Sequence, residues 1–421
     1  MLIKNLHPNV LEFQSSNVCL GDELRNVFRV HRVGAWEAVI FYSARILDSL
    51  AASAVRIIGF RPAENVFANL QTLQFYNLIS TANGYWVHAL RGQGNAVRHL
   101  LNRIADEDAE LALLFVEMCL RWFFQEFPLR DRLAHLTVDG QPLILSGNDD
   151  SRQLIDRLSA FLHNGERQED GLPKCSALEK CQSPTIPALL ADLLVARKQF
   201  THAQQALDQA LARWPTDSRL LQLRGLTLAR QADETMQKGD SALARELLSA
   251  AVMQMEPLYK RSRNDEEAAG ILAGIYKRRW RCEAHTPAWL ERSYRAYRDS
   301  WKASKCTSPY LGINVAATAL WRGRANESRE LAEKVRTVLE KRAEVLSKWP
   351  DHPDLVLNFW DQVTLAEAWL LLEDLPTAKS LYQAAFKQHP KETSSQETAI
   401  LQLQETLNCW GKSINARAWF S

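Results

Sequence analysis

The chain has few of the features that would mark a metalloprotein, a secreted protein or a membrane protein. Its seven cysteines, at positions 19, 119, 175, 181, 282, 306 and 409, include no Cys-x-x-Cys pair and show no zinc-ligand spacing. An odd, scattered set points to reduced thiols in a cytoplasmic protein, with no metal and no cofactor expected. Charge of one sign is also missing. Lys and Arg number 51 against 49 Asp and Glu, so no global basic field advertises nucleic acid and any such site must be local. Met1 to Asn17 has no apolar core of a signal peptide. The most apolar run, Leu111 to Phe124, contains Glu117 and Arg121 and is too short to span a bilayer. It reads as a buried helix, and no membrane partner is expected. Alternating strand patterns are rare, which leaves an all-α protein.

What the chain does have is helical periodicity in two differently organised halves. Residues 1–34 are weakly patterned and read as an N-terminal arm, extended or with a short strand. Residues 35–165 read as a helical bundle. Its first helix carries Val39, Tyr42, Ile46, Leu47, Leu50, Ala54 and Ile57 at helical spacing and stops at Gly59. Pro62 opens a second helical region reaching about Ile79, and Tyr85 to Leu90 begins a short third one. Asp106-Glu107-Asp108 caps a long apolar helix that ends at Pro128. Leu136 to Leu145 alternates about Asp139-Gly140, the pattern of a small β-hairpin appendage, and Asp149 to His163 reads as a further helix. Residues 166–186 collect Gly, Ser, Pro and charge without periodicity and read as a linker.

The most informative stretch of the first half is Leu90-Arg91-Gly92-Gln93-Gly94-Asn95-Ala96-Val97-Arg98-His99. Gly-x-Gly-Asn reads as a turn, with Asn95 capping a following helix whose N-terminus would favour a phosphate. Arg91 and His99 on either side would then suit metal-free RNA cleavage. The His would move the 2′-hydroxyl proton and the Arg would hold the charged phosphorane. A plain capped turn with solvated charges accounts for the same residues.

Residues 187–421 repeat. Helix pairs with Ala at the crossings and Pro after the second helix occur at 187–217 and at Arg219 to Pro257. Further copies begin near Asp265, at Gly312 to Arg342 and at Phe359 to Pro390. Stacked hairpins with such small crossing residues have the tetratricopeptide (TPR) signature of a helical solenoid. Three segments carry more polar and aromatic chemistry than stacking needs. Tyr276, Lys277 and Arg279 lie in a run of cations and aromatics. Tyr310 and Asn314 start one helix, and Trp360, Asp361 and Glu367 start another. Cations beside aromatic platforms suit a phosphorylated nucleotide or an acidic protein ligand. Ordinary packing of Tyr276, Trp280 and Trp360 is the other reading of the aromatics.

Two resemblances follow from these residues. Residues 35–128 resemble HEPN-type bundles, in the subgroup found with bacterial restriction and defence genes. The match rests on Ala44-Arg45-Ile46-Leu47-Asp48-Ser49-Leu50, on Arg91 to His99, and on Trp122-Phe123-Phe124. The resemblance implies an RNA-cleaving or RNA-binding effector that works as a homodimer, with Arg91, Asn95 and His99 as its site. Arg130 and His135, at the shorter spacing familiar in HEPN ribonucleases, form a second candidate. Residues 187–410 are similar to the TPR-like regulatory region of apoptosis signal-regulating kinases, also found in bacterial conflict proteins. That match rests on Gly270-x-x-x-Gly274-Ile275-Tyr276-Lys277, Tyr310-x-Gly312-Ile313-Asn314 and Trp360-Asp361-x-x-Thr364-x-x-Glu367. It implies a sensor of nucleotide-derived signals or a platform for protein assembly. No kinase motif accompanies it: a Gly-rich loop, His-Arg-Asp and Asp-Phe-Gly are all missing. Together the two halves suggest an anti-phage defence protein in which a sensor controls an RNA effector. The alternatives are a non-catalytic adaptor and a nucleotide-sensing regulator that recruits a separate effector.

Overall fold

In the computed structural model, residues 13–15, 18–76, 78–79, 81–98, 104–127, 184–261, 265–306, 308–348, 356–390, 393–411 and 414–420 are described. They fall into two units, one up to Leu193 and one from Leu194 onward. The architecture is all-α. The strand content among the described residues is a two-residue ladder, β1 (Gln14–Ser15) paired antiparallel with β2 (Val18–Cys19). The expected hairpin at Leu136 to Leu145, the helix at Asp149 to His163 and nearly all of the linker at 166–186 lie outside the described residues.

The N-terminal unit corrects the expectation of an arm. β2 leads directly into helix α1 (Leu20–Arg32), which buries Leu20, Leu24, Val27 and Phe28 on one stripe. Asp22 and Glu23 in its first turn and Arg29, His31 and Arg32 in its last complement the helix dipole. Helix α2 (Trp36–Ile57) forms the centre of the bundle. It is touched by α1, α3 (Val66–Phe75), α4 (Thr81–Arg98) and α5 (Asp106–Arg121). By length and composition α2 could cross a membrane, yet Val39, Ile46, Leu47, Leu50 and Ala54 are buried inside the bundle. Asn65 caps α3 by accepting from the Ala68 N–H at 2.8 Å, so this helix starts three residues after the Pro62–Ala63 dipeptide ends. The acidic run before α5 behaves as expected: Asp108 Oδ2 accepts from the Ala105 N–H at 3.0 Å and closes the first turn. Past Arg121 the helix widens into a π-helical turn, Trp122–Glu126. Its Trp122 Nε1 donates to the Leu78 carbonyl at 3.0 Å.

The second half is a stack of antiparallel helix pairs. Helix α6 (Thr185–Ala196) precedes α7 (Phe200–Arg213), which packs on α8 (Ser218–Gln237). The pairs are α8 with α9 (Ser241–Arg261), α10 (Glu266–Cys282) with α11 (Pro287–Ala303), and α12 (Pro309–Trp321) with α13 (Ala325–Leu346). A fourth pair joins α14 (Phe359–Leu371) to α15 (Leu375–Gln388). Small residues let the paired helices approach. A Cβ on Gly312 would sit 2.7 Å from Val335 and 2.9 Å from Trp301, so only glycine fits there. Pro257 lies inside α9, near its end. Helix α16 (Thr393–Cys409) follows the last pair and touches both α12 and α14. A 3-10 turn, Ala416–Trp419, closes the core over α16.

Candidate ligand-binding site

The first helices of the pairs bring polar side chains to one buried cluster. Lys277 (α10), Asn314 (α12) and Glu367 (α14) are each at most 8% exposed. Lys277 Nζ donates to Asn314 Oδ1 at 2.8 Å and to Gln402 Oε1 of α16 at 2.7 Å. Gln402 Nε2 in turn donates to Glu367 Oε1 at 2.6 Å. Asn314 Nδ2 is held by the Tyr310 carbonyl at 2.8 Å, which fixes the direction of its oxygen. The rings of Tyr297 and Trp321 each lie 5.8 Å from Lys277 Nζ. Burial, and next the Arg281 charge, push the Lys277 ammonium down to about 7. Burial lifts the Glu367 carboxyl to about 7, against the opposing pull of Gln402 and Lys277.

Around this centre stand further charges. Arg278 Nε donates to Asp233 of α8 at 2.8 Å. Arg281 approaches Glu405 of α16 at 3.4 Å, and its buried Nη2 has no hydrogen-bond partner. Next to them is an open groove of about 620 Å³, lined by Trp280, His285, Pro287, Ala288, Leu290, Glu291, Trp321 and Arg322. Trp280 and Trp321 stack there at 5.3 Å and 12°.

The sequence-derived ligand set therefore divides. Lys277, Asn314 and Glu367 come together. Tyr276 and Arg279 do not: Tyr276 Oη donates to Glu256 at 2.7 Å and its ring stacks on Trp289 at 5.9 Å. Arg279 lies 4.0 Å over that same Trp289 and pairs with Glu283. Both belong to the packing of α10 against α9 and α11. Tyr310 contributes its backbone carbonyl, while its half-exposed ring stands edge-on to Tyr297 at 6.2 Å. Trp360 is exposed beside Phe359. Asp361 is a structural anion, bound by both Asn358 of its own cap and Arg342 of α13, the latter at 3.2 Å to each oxygen. Gln402, Glu405 and Trp321 were not legible as site residues. Gln402 sits in a Leu-Gln-Leu-Gln run with no motif to distinguish it.

In the N-terminal unit the expected turn is absent. Helix α4 runs unbroken through Gly92, Gly94 and Asn95, so Asn95 lies inside a helix and does not cap a following one. The physical reason is packing. A Cβ on Gly94 would lie 2.7 Å from the Ala44 Cβ, so the glycine serves close contact with α2 rather than a bend. Gly92 is exposed with open space around it. Gln93 is buried and donates to the Asp108 carbonyl at 3.0 Å. Arg91 and Asn95 fall one turn apart on one helix face, both half-buried, with the Arg91 guanidinium 4.8 Å over the Phe67 ring. His99, Arg130 and His135 lie outside the described residues. Among the described residues no three His, Cys, Asp or Glu side chains gather as metal ligands.

No curated protein matches the sequence. Similar solved structures include a thermophilic TPR protein of Thermus thermophilus, 17% identical, covering 53% of this chain and 100% of its own, with a TM-score of 0.37. The human IFIT1 dimer with PPP-AAAA is 13% identical over 90% of this chain and 92% of its own, with a TM-score of 0.33. The Cut9-Hcn1 hetero-tetramer of APC/C is 12% identical over 95% of both, at a TM-score of 0.20. Residues 199–320 match the family model Tetratricopeptide Repeats-Sensor, and that part of the chain is a TPR-like domain.

Proposed function

We propose that this chain is a two-part sensor protein of bacterial anti-phage defence, in which the TPR-like domain binds a ligand and controls an RNA-directed helical bundle. The observation that carries the sensor half is the convergence of Lys277, Asn314 and Glu367, from three separate helices, on one buried polar cluster. A stack of helices needs no buried ammonium and carboxylate, and apolar side chains of similar volume would generally hold it at least as well. Groups kept at that cost suit recognition. A nucleotide-derived signal matches the surrounding cations and aromatic rings, and an acidic segment of a protein partner is the other ligand class.

For the bundle, the HEPN-type reading is supported by Arg91 and Asn95 sharing one face of α4, with His99 four residues further along the sequence. On this reading His99 transfers the 2′-hydroxyl proton and Arg91 neutralises the phosphorane, and a homodimer sets two such pairs over one RNA. The adaptor reading has one observation in its favour, the engagement of Arg91 with Phe67. Incubating total RNA and tRNA with the full chain in EDTA decides between them. Cleavage by wild type that is lost in His99→Ala and Arg91→Ala supports the effector. No cleavage, together with a protein partner that co-purifies stoichiometrically, favours the adaptor.

A further inference from the structure

Gln402 belongs to none of the three segments that build the cluster. It arrives on α16, which lies outside the repeat pairs. The apolar side of α16 (Ala399, Leu403, Leu407) shares a core with α14 and α15. Its other side turns Gln402, Glu405 and Thr406 toward α10 and α12, where Thr406 Oγ1 accepts from Trp321 Nε1 at 3.4 Å. The Gln402 carboxamide is read at both ends. Its oxygen accepts a hydrogen bond from Lys277 and its NH2 donates one to Glu367. Lys277 and Glu367 together therefore recognise one pattern, a hydrogen-bond acceptor with a donor beside it. Arg281 borders the cluster with a buried N–H that has no hydrogen-bond partner, a donor suited to an anion.

We propose that Gln402 is a tethered stand-in for a ligand carrying the same acceptor–donor edge next to an anionic group. The edge is that of a primary carboxamide or of adenine N1 and N6. This inference rests on the sensor reading above. The exchange conserves hydrogen bonds: the ligand takes over both contacts, and Gln402 is returned to water. It follows that the cluster is never left with an unpaired buried charge in either state. Because Gln402 is held beside the cluster by its own helix, a ligand must bind well enough to outcompete an intramolecular group.

Titration calorimetry on the full chain, wild type and Gln402→Ala, tests this with four probes. AMP and nicotinamide mononucleotide carry the edge. IMP reverses it, and nicotinic acid mononucleotide lacks the donor. The expected result is that AMP, nicotinamide mononucleotide or both bind Gln402→Ala at least about 10-fold tighter than wild type, and bind at least about 10-fold tighter than their matched controls. Binding of AMP alone identifies adenine as the source of the edge, and of nicotinamide mononucleotide alone, nicotinamide. Equal binding of a probe and its control, equal binding by the two proteins, or no binding at all overturns the inference. Hydrogen exchange on the wild type does not depend on how the variant folds. The amides of residues 402–409 should exchange at least about 10-fold faster with the bound probe, and unchanged protection with the probe bound also overturns it. The sensor reading fails separately, if Lys277→Met and Glu367→Gln leave RNA cleavage by the full chain as it was.

Discussion

Lys277 and Glu367 illustrate how much a single buried charge depends on its neighbours. Lys277→Met removes the donor that Gln402 Oε1 and Asn314 Oδ1 accept from, together with a positive charge that acts on Glu367. It should destabilise the C-terminal domain by about 3 kcal/mol. Adding Glu367→Gln should restore part of that loss, as urea unfolding of the single and double variants would show. The pH response has a definite sign. Because burial raises the Glu367 carboxyl to about 7, the folded chain keeps a proton there that the unfolded chain has released above its ordinary value of 4.5. The stability contributed by this group is fully present below 4.5 and is lost as pH rises to about 7. Glu367→Gln should therefore flatten the fall in Tm between about pH 5 and 7.5. Lys277, lowered to about 7 from 10.5, acts in the other direction, and its contribution improves as pH rises across that higher window. The sequence pointed to Lys277 through its run of cations and aromatics, and to Asn314 and Glu367 as polar residues in largely apolar helices. It gave Tyr276 and Arg279 the same weight, yet at about 100° per residue these two share a side of α10 that Lys277 and Arg281 do not. Gln402 was illegible because its role depends on where a distant helix crosses.

Helix α4 shows why a local signal can mislead about an element. Gly-x-Gly-Asn favours a turn in isolation, but the chain spends Gly94 on contact with Ala44 and stays helical throughout. The two glycines should then respond oppositely to substitution. Gly92→Ala should raise the stability of the bundle by about 0.5–1 kcal/mol, since it stiffens an exposed helical position. Gly94→Leu should lower it by about 1–3 kcal/mol by forcing α4 off α2. Thermal unfolding of the two variants checks both, and a real turn at this place would reverse the first result. Helix α1 was missed for a different reason. Leu20, Leu24, Val27 and Phe28 form a narrow apolar stripe among charged neighbours, and only packing on α2 makes that stripe decisive. The repeat pairs were legible because their small crossing residues recur, so packing and sequence pattern say the same thing several times.

For the whole molecule, the sensor–effector reading predicts that damage at either end alters the output, each in its own way. If expression of the wild type slows bacterial growth through RNA cleavage, His99→Ala should abolish the effect. Lys277→Met should change its dependence on phage challenge without touching the bundle. Growth curves with and without phage would show this, and unchanged curves for both variants would count against the coupling. The stacked indoles of Trp280 and Trp321 add a physical handle on such a change. Two rings at 5.3 Å share their electronic excitation, and the second of them is hydrogen-bonded to Thr406 on α16. Any shift of that helix alters the pair's near-ultraviolet dichroism and emission. The protein thus carries its own unlabelled optical gauge of whether the helix holding Gln402 is seated.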